Sequence, residues 1–293
     1  MVISPKTWDR GIRWFFTLTA SMSILIVAMI FVFLFKESWT FISEEGLGAL
    51  LGLRWNPTSA QGEGYGVMPL VTGSLLVTVL AGLLAVPLGI AGAVYIAEEA
   101  RPLEREILKP FIEVLAGIPS VVLGFFGLVV VAPAVKAMFG LSSGMNALTG
   151  AVVLALMAIP TIISVSEDAI RAVPNSFRHA SLALGASHQQ TVWRVLVPAA
   201  IPGITAATML GFGRIIGETM AVMMVTGNAA KLTFNPVDSV RTMTATVAAE
   251  MGEVQQGGVH YSALFCVGVL LLLSTFLLNL LALQTFKRYG ARQ

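Results

Sequence analysis

Charge is what this chain has least of: 12% of its 293 residues are Asp, Glu, Lys or Arg, against 56% hydrophobic residues and a mean hydropathy of +0.83. A water-soluble globular domain carries about twice that share of charge, so the soluble classes are excluded and an integral membrane protein remains. There is a single cysteine, Cys266, set in an apolar run, so no intrachain disulfide and no multi-cysteine metal site can form. The expectation for it is a packing residue facing lipid or another helix. The three histidines, His179, His188 and His260, lack the His-Glu-x-x-His spacing of a zinc protease, which places an intramembrane enzyme last among the readings. No Gly-x-x-x-x-Gly-Lys-Ser/Thr run occurs, so the chain is not its own ATPase by that route, and no cofactor is expected on it.

What is present is length without charge. A bilayer core of ~30 Å needs about 20 apolar residues per helix. Six such runs occur, at roughly 14–35, 70–97, 114–135, 146–166, 199–226 and 262–286, and only the fifth contains charged residues. Lipid offers no partner for backbone amides, so each run is predicted helical, giving an all-α polytopic membrane protein. The first run follows Arg10 and Arg13 as a signal sequence would, but it continues to Lys36, which predicts a retained anchor. The expected division is residues 1–36 as amino terminus and anchor, 37–69 as an outer loop and 70–293 as the core, with a polar loop at 171–203.

Basic residues set the orientation. Lys6, Arg10, Arg13, Arg101, Arg105, Lys109, Arg171, Arg178, Arg194, Lys287, Arg288 and Arg292 fall on one side, which holds twelve. Lys36, Arg54, Lys136, Lys231 and Arg241 fall on the other. Both termini and the 171–203 loop are therefore expected in the cytoplasm, with the chain in the cytoplasmic (inner) membrane of a bacterium. The outer loop at 37–69 carries Glu37, Glu44, Glu45 and Glu63 with a Trp55-Asn56-Pro57 turn, and reads as a solvated connector or a docking surface. In the second outer loop, Thr242 to Ala249 reads as a short helix or a re-entrant segment.

Three local patterns carry chemistry. From Ser176 to Gly203, His179-Ala180-Ser181 is followed by Gly185 and then Val195-Leu196-Val197-Pro198. This predicts a short helix, a φ > 0 turn at Gly185, a second amphipathic helix from His188 to Val197, and a break from the fifth span at Pro198 and Pro202. In the fifth span, Arg214 and Glu218 stand four residues apart, which on a continuous helix places them on one face, with Thr219 beside them. An intramembrane Arg costs ~2.5–3.5 kcal/mol on insertion scales and marks either a site or a packing ion pair. Its fork of donors suits phosphate or carboxylate oxygens, and Glu218 could accept a hydrogen bond from a protonated phosphate. Finally, Pro119 in Gly117-Ile-Pro-Ser120 breaks the helix, so a half-helix beginning at Ser120 either aims free amides at a pathway or shapes packing. Pro160-Thr161, and Thr72 with Ser74, invite the same two readings.

These patterns together carry a resemblance. The 176–203 spacing resembles the cytoplasmic coupling loop of ABC-importer permeases, Glu-Ala-Ala then Gly then Ile-x-Leu-Pro, with His179, Ser181, Val195 and Val197 as the departures. With the Gly-Tyr-Gly-Val-Met-Pro69 run, the Gly117–Gly127 run and Gly213-Arg-Ile-Ile-Gly-Glu-Thr-Met-Ala221, nearly the whole chain resembles the permease subunits of the Pst-type phosphate importer. The Trp55-Asn-Pro loop brings it nearer the PstC-type chain. The resemblance implies the type I importer permease fold. It implies His179, Ala180, Ser181, Gly185, Val195 and Pro198 as the contact with an ATPase, and Arg214 and Glu218 as the substrate pathway, where Ser120 and Thr219 are also expected. It implies as partners a second, PstA-like permease, a dimeric ATPase subunit that binds ATP and Mg, and an external phosphate-binding protein. Two alternatives stay open: a permease for another oxyanion such as sulfate or molybdate, and a proton-coupled secondary transporter.

Overall fold

The computed structural model describes the backbone of residues 5–58 and 64–290, and the side chains of residues 12–58 and 64–280. The side chains of Lys6, Arg10, Lys287 and Arg288, and all of Gly62, Glu63 and Arg292, lie outside the described residues. Six helices among those described are long and apolar enough to cross a membrane. The first, α1 (Pro5–Glu44), packs along the last and is joined through the short α2 (Leu47–Leu50) to a two-residue hairpin, β1 (Trp55–Asn56) with β2 (Gly64–Tyr65), paired antiparallel. The second span, α3 (Met68–Val94), starts at Pro69, whose missing amide costs nothing in a first turn.

The third span begins later than its apolar run. α4 (Pro102–Ala116) is a separate amphipathic helix, its first turn closed by the Glu104 carboxylate accepting from the Arg101 amide at 3.0 Å. Pro119 then ends one helix and caps the next, and the span proper is α5 (Ser120–Phe126) running into α6 (Ala132–Phe139). The fourth span, α7 (Ala147–Arg171), is the most buried, capped by the Asn146 side chain accepting from the Thr149 amide at 2.9 Å. Pro160 is buried inside it without breaking it, so packing is its role here. The Val153, Ala155, Met157 and Ala158 side chains of α7 form the main core with Val77, Ala81 and Ala85 of α3.

After α7 come α8 (Asn175–Ala183) and α9 (His188–Thr191), then α10 (Val197–Gly217) and α11 (Met220–Val225). The second elbow helix does not end at Pro198. Helix runs without interruption from His188 to Gly217, so the fifth span starts earlier and stops earlier than its apolar run. The physical reason is a wide π turn at Val192–Leu196, where the Val197 amide reaches back to the Val192 carbonyl; Pro198, in the first turn that follows, is no obstacle. Similar π turns close α3 at Tyr95–Glu99 and join α5 to α6 at Gly127–Val131.

The Thr242–Ala249 run resolves as α12 (Met243–Glu250), capped by Thr242 and buried over Met243 to Thr246. Its start is tied inward by the Met243 amide donating to Ser74 Oγ at 2.9 Å, which gives Ser74 a structural task. Thr72 Oγ1 donates back to the Met68 carbonyl of its own helix. The last helix, α13 (Val259–Gly290), contains Cys266, which faces a helix: its Sγ lies 3.5 Å from the Ser38 carbonyl of α1.

Candidate functional site

The elbow forms as the spacing predicts in its first half. Gly185 takes φ +83°, and an added Cβ there would meet nothing within 4 Å, so the glycine is required for conformation and not for space. Ser187 closes the turn: its Oγ accepts from the Gln190 amide at 3.2 Å while Gln190 Oε1 accepts from the Ser187 amide at 2.9 Å. His179 and Ala180 lie exposed on α8 beside Phe177 and Leu182, with Leu184 at the tip 89% exposed. Ser181 turns inward and its hydroxyl bonds that of Thr191 at 3.0 Å, fastening the two arms together. Val195 and Pro198 are half-buried in the stem. α8 and the turn that follows it thus present a small knob, apolar at Phe177, Leu182 and Leu184, at one end of the bundle.

Arg214 and Glu218 are not brought together on one helical face. α10 ends at Gly217, Glu218 takes extended angles (φ −72°, ψ 133°), and no ion pair joins the two. Glu218 instead accepts from the Ala221 amide at 3.2 Å, capping α11, and its carbonyl accepts from Thr244 Oγ1 of α12 at 2.9 Å. Arg214 Nη2 donates to the Ala116 carbonyl at 3.2 Å, at the end of α4. Thr219 Oγ1 donates to the Gly217 carbonyl at 3.3 Å, within the break, and Ser120 stands half-buried at the start of α5. The glycines beside Arg214 in the fifth span differ in surroundings: Gly211 is pressed against Ile162, whereas Gly213 and Gly217 are exposed and face open space. Arg214 is therefore half-buried, touched by the end of α4 but on a face of α10 that among the described residues stays open at Gly213 and Gly217. The void beside Glu218, about 10 Å³, holds one water at most.

At the elbow end, Glu167 of α7, its side chain 2% exposed, pairs with Lys109 at 2.7 Å and Arg171 at 3.1 Å. The hydrogen bond to Glu167 raises the Lys109 ammonium above its ordinary pKa. On the same side the Glu98 carboxylate raises Arg178. Sequence reasoning assigned no partner to these cations.

The opposite end holds a cavity of about 800 Å³ that the sequence did not reveal. Trp55, Tyr65, Arg241, Glu250 and His260 line it. Glu250 is the hub: Arg241 Nη1 donates to it at 2.6 Å, Trp55 Nε1 at 3.1 Å, and His260 Nε2 lies at 2.9 Å. The 37–69 segment is thereby more than a solvated connector. Its signal was spread over five positions from 55 to 260, and each looked like an ordinary loop residue.

Residues 85–288 match the family described as binding-protein-dependent transport system inner membrane component. A probable ABC transporter permease protein, YqgH of Bacillus subtilis, is 40% identical over 90% of this chain and 86% of its own length. The phosphate transport system permease protein PstC of Mesorhizobium japonicum is 33% identical over 95% of this chain and 90% of its own. Among solved structures, a chain of a bacterial alginate ABC transporter, in complex with an alginate pentasaccharide-bound periplasmic protein, aligns with TM-score 0.65 at 15% identity. That alignment covers 96% of this chain and 97% of that one. A chain of the inward-facing MetNI methionine ABC transporter aligns with TM-score 0.57 at 19% identity over 75% and 96%. At these identities the structural likeness speaks for the fold, which is that of the type I importer permeases.

Proposed function

The chain belongs to the binding-protein-dependent transport system inner membrane components, and from that premise we propose that this ABC importer permease subunit moves inorganic phosphate inward. The observation that carries the pathway is Arg214: a half-exposed guanidinium on an open face of α10, flanked by Gly213 and Gly217, where an anion can approach the fork. That face is completed by a second, PstA-like permease, so that the pathway runs between the two subunits. Glu218, Thr219 and Ser120 line it from the helix breaks on either side.

Hydrolysis of Mg-ATP belongs to a separate dimeric ATPase subunit that receives the knob of Phe177, His179, Ala180, Leu182 and Leu184. Both termini and the elbow lie in the cytoplasm, and an external phosphate-binding protein meets the opposite face. Phosphate is supported by the relatives named for phosphate transport. The acceptor role of Glu218 loses support, because Glu218 does not share a face with Arg214. Uptake of labelled phosphate in competition with sulfate and molybdate tests the cargo, and Arg214→Gln tests the site. Uptake at normal affinity by Arg214→Gln would overturn the assignment.

A further inference from the structure

The π turn that ends the second span carries two consecutive carboxylates, Glu98 and Glu99, each meeting a different arm of the elbow. Glu98 is gripped by the Arg178 fork of α8, with Nη1 to Oε2 at 2.6 Å and Nη2 to Oε1 at 2.7 Å, and its side chain is 2% exposed. Glu99 reaches His188 at the start of α9 at 3.4 Å, but both of those side chains are nearly half exposed. The same turn is held from the other side by Arg105 of α4. Its guanidinium donates to the Ile96 carbonyl at 2.7 and 2.9 Å and to the Ala97 carbonyl at 2.6 Å. Beneath lies an apolar layer in which Ala93, Val94 and Ala97 pack with Ile170, Val192 and Leu196.

The two arms of the elbow are attached differently. α9 continues as helix into α10, so any displacement of that arm passes straight into the fifth span. α8 is followed by the Leu184–Gly185 turn and preceded by Ala172–Pro174, and neither connection is helical. A bidentate pair with one partner desolvated resists shear far better than an exposed one, which salt and water screen.

We propose that the Glu98–Arg178 pair is the joint through which movement of α8 enters α3, and with it the α3–α7 core, so that Glu98 and Arg178 are positioning residues for energy coupling. This rests on the reading of the chain as a phosphate importer driven by a separate ATPase. Without the joint, the ATPase still closes on the knob and still hydrolyses ATP, and α10 still moves. α3 lags, and the two halves of the subunit no longer switch together.

The test uses the whole complex, both permeases with the ATPase dimer, in proteoliposomes with the phosphate-binding protein and phosphate. ATP hydrolysis and phosphate moved per ATP are read separately. Glu98→Gln and Arg178→Gln should each retain hydrolysis and lower phosphate per ATP roughly tenfold. Arg178→Lys, which keeps charge but not the fork, should fall between them and wild type. The reversed pair, Glu98→Arg with Arg178→Glu, should recover most of the ratio, and Glu99→Gln should leave it unchanged. The proposal is overturned if Glu98→Gln keeps the wild-type ratio, or if Glu98→Gln and Glu99→Gln lose equally. It is also overturned if hydrolysis and transport fall together at constant ratio as the complex dissociates on gel filtration, which marks the pair as structural only. If the wild-type complex moves another solute and not phosphate, the importer's cargo is wrong, and the same ratios read with that solute still decide the joint.

Discussion

Replacing Glu250 by Ala removes the acceptor shared by three donors, and the structure sets the size of the loss. Trp55 is 2% exposed, so its indole N–H, 3.1 Å from the carboxylate, is left buried and unpaired at a cost of about 1–3 kcal/mol. Arg241 and His260 border the 800 Å³ cavity, where water can take over their donors, so each adds about 1 kcal/mol or less. The sum is about 1–5 kcal/mol, a fall of roughly 2–15 °C in the thermal midpoint of a domain this size. Calorimetry of the purified protein in detergent measures it. Glu250→Gln keeps a carbonyl for Trp55 and should lose less than half as much. In a Trp55→Phe background the Glu250→Ala effect should shrink by the indole's share, since the two residues are coupled. A midpoint for Glu250→Ala within about 1 °C of wild type, on a scale where 1 kcal/mol moves it by more than that, refutes the hub.

Two further outcomes follow from local geometry. Gly185→Ala forces a Cβ into φ +83° and should cost about 1–2 kcal/mol, while Gly185→Asn, which tolerates that region, should cost less; thermal midpoints of the two variants compare them. Asp238 is held below its ordinary pKa, first by the Thr233 hydroxyl and then by the Lys231 ammonium. A depressed carboxylate contributes stability above its unfolded pKa that disappears as pH falls through the lower, folded value. The Asn235 amide, which donates to Thr233 Oγ1, should therefore lose hydrogen-exchange protection below the usual carboxylate range, and Asp238→Asn should abolish that pH dependence.

The spans and the break at Pro119 were readable because each has a local cause: a charge-free stretch long enough to cross lipid, and an imide that cannot donate. The turn at Gly185 was readable for the same kind of reason. The break between Arg214 and Glu218 was not, since an isolated glycine such as Gly217 weakens a helix without having to end it. What ends it is remote, with Thr244 on α12 taking the Glu218 carbonyl. Continuity across Pro198 was hidden likewise, because a π turn leaves no mark in composition. The Glu250 hub gathers residues 195 positions apart, a pairing only the folded chain reveals.

The three π turns have a consequence for the way this chain's helices are clocked. Two of them, Gly127–Val131 and Val192–Leu196, have helix on both sides and hold one surplus residue each, so the helix beyond is rotated by about 100° relative to the helix before it. A helical wheel drawn straight through Val192–Leu196 would assign the wrong flank to every residue from Val197 onward, Arg214 included. Removing a single residue from that stretch would rewind the stem to ordinary pitch and swing the guanidinium about a quarter-turn toward the neighbouring helices or the acyl chains, with no change to the composition of the span.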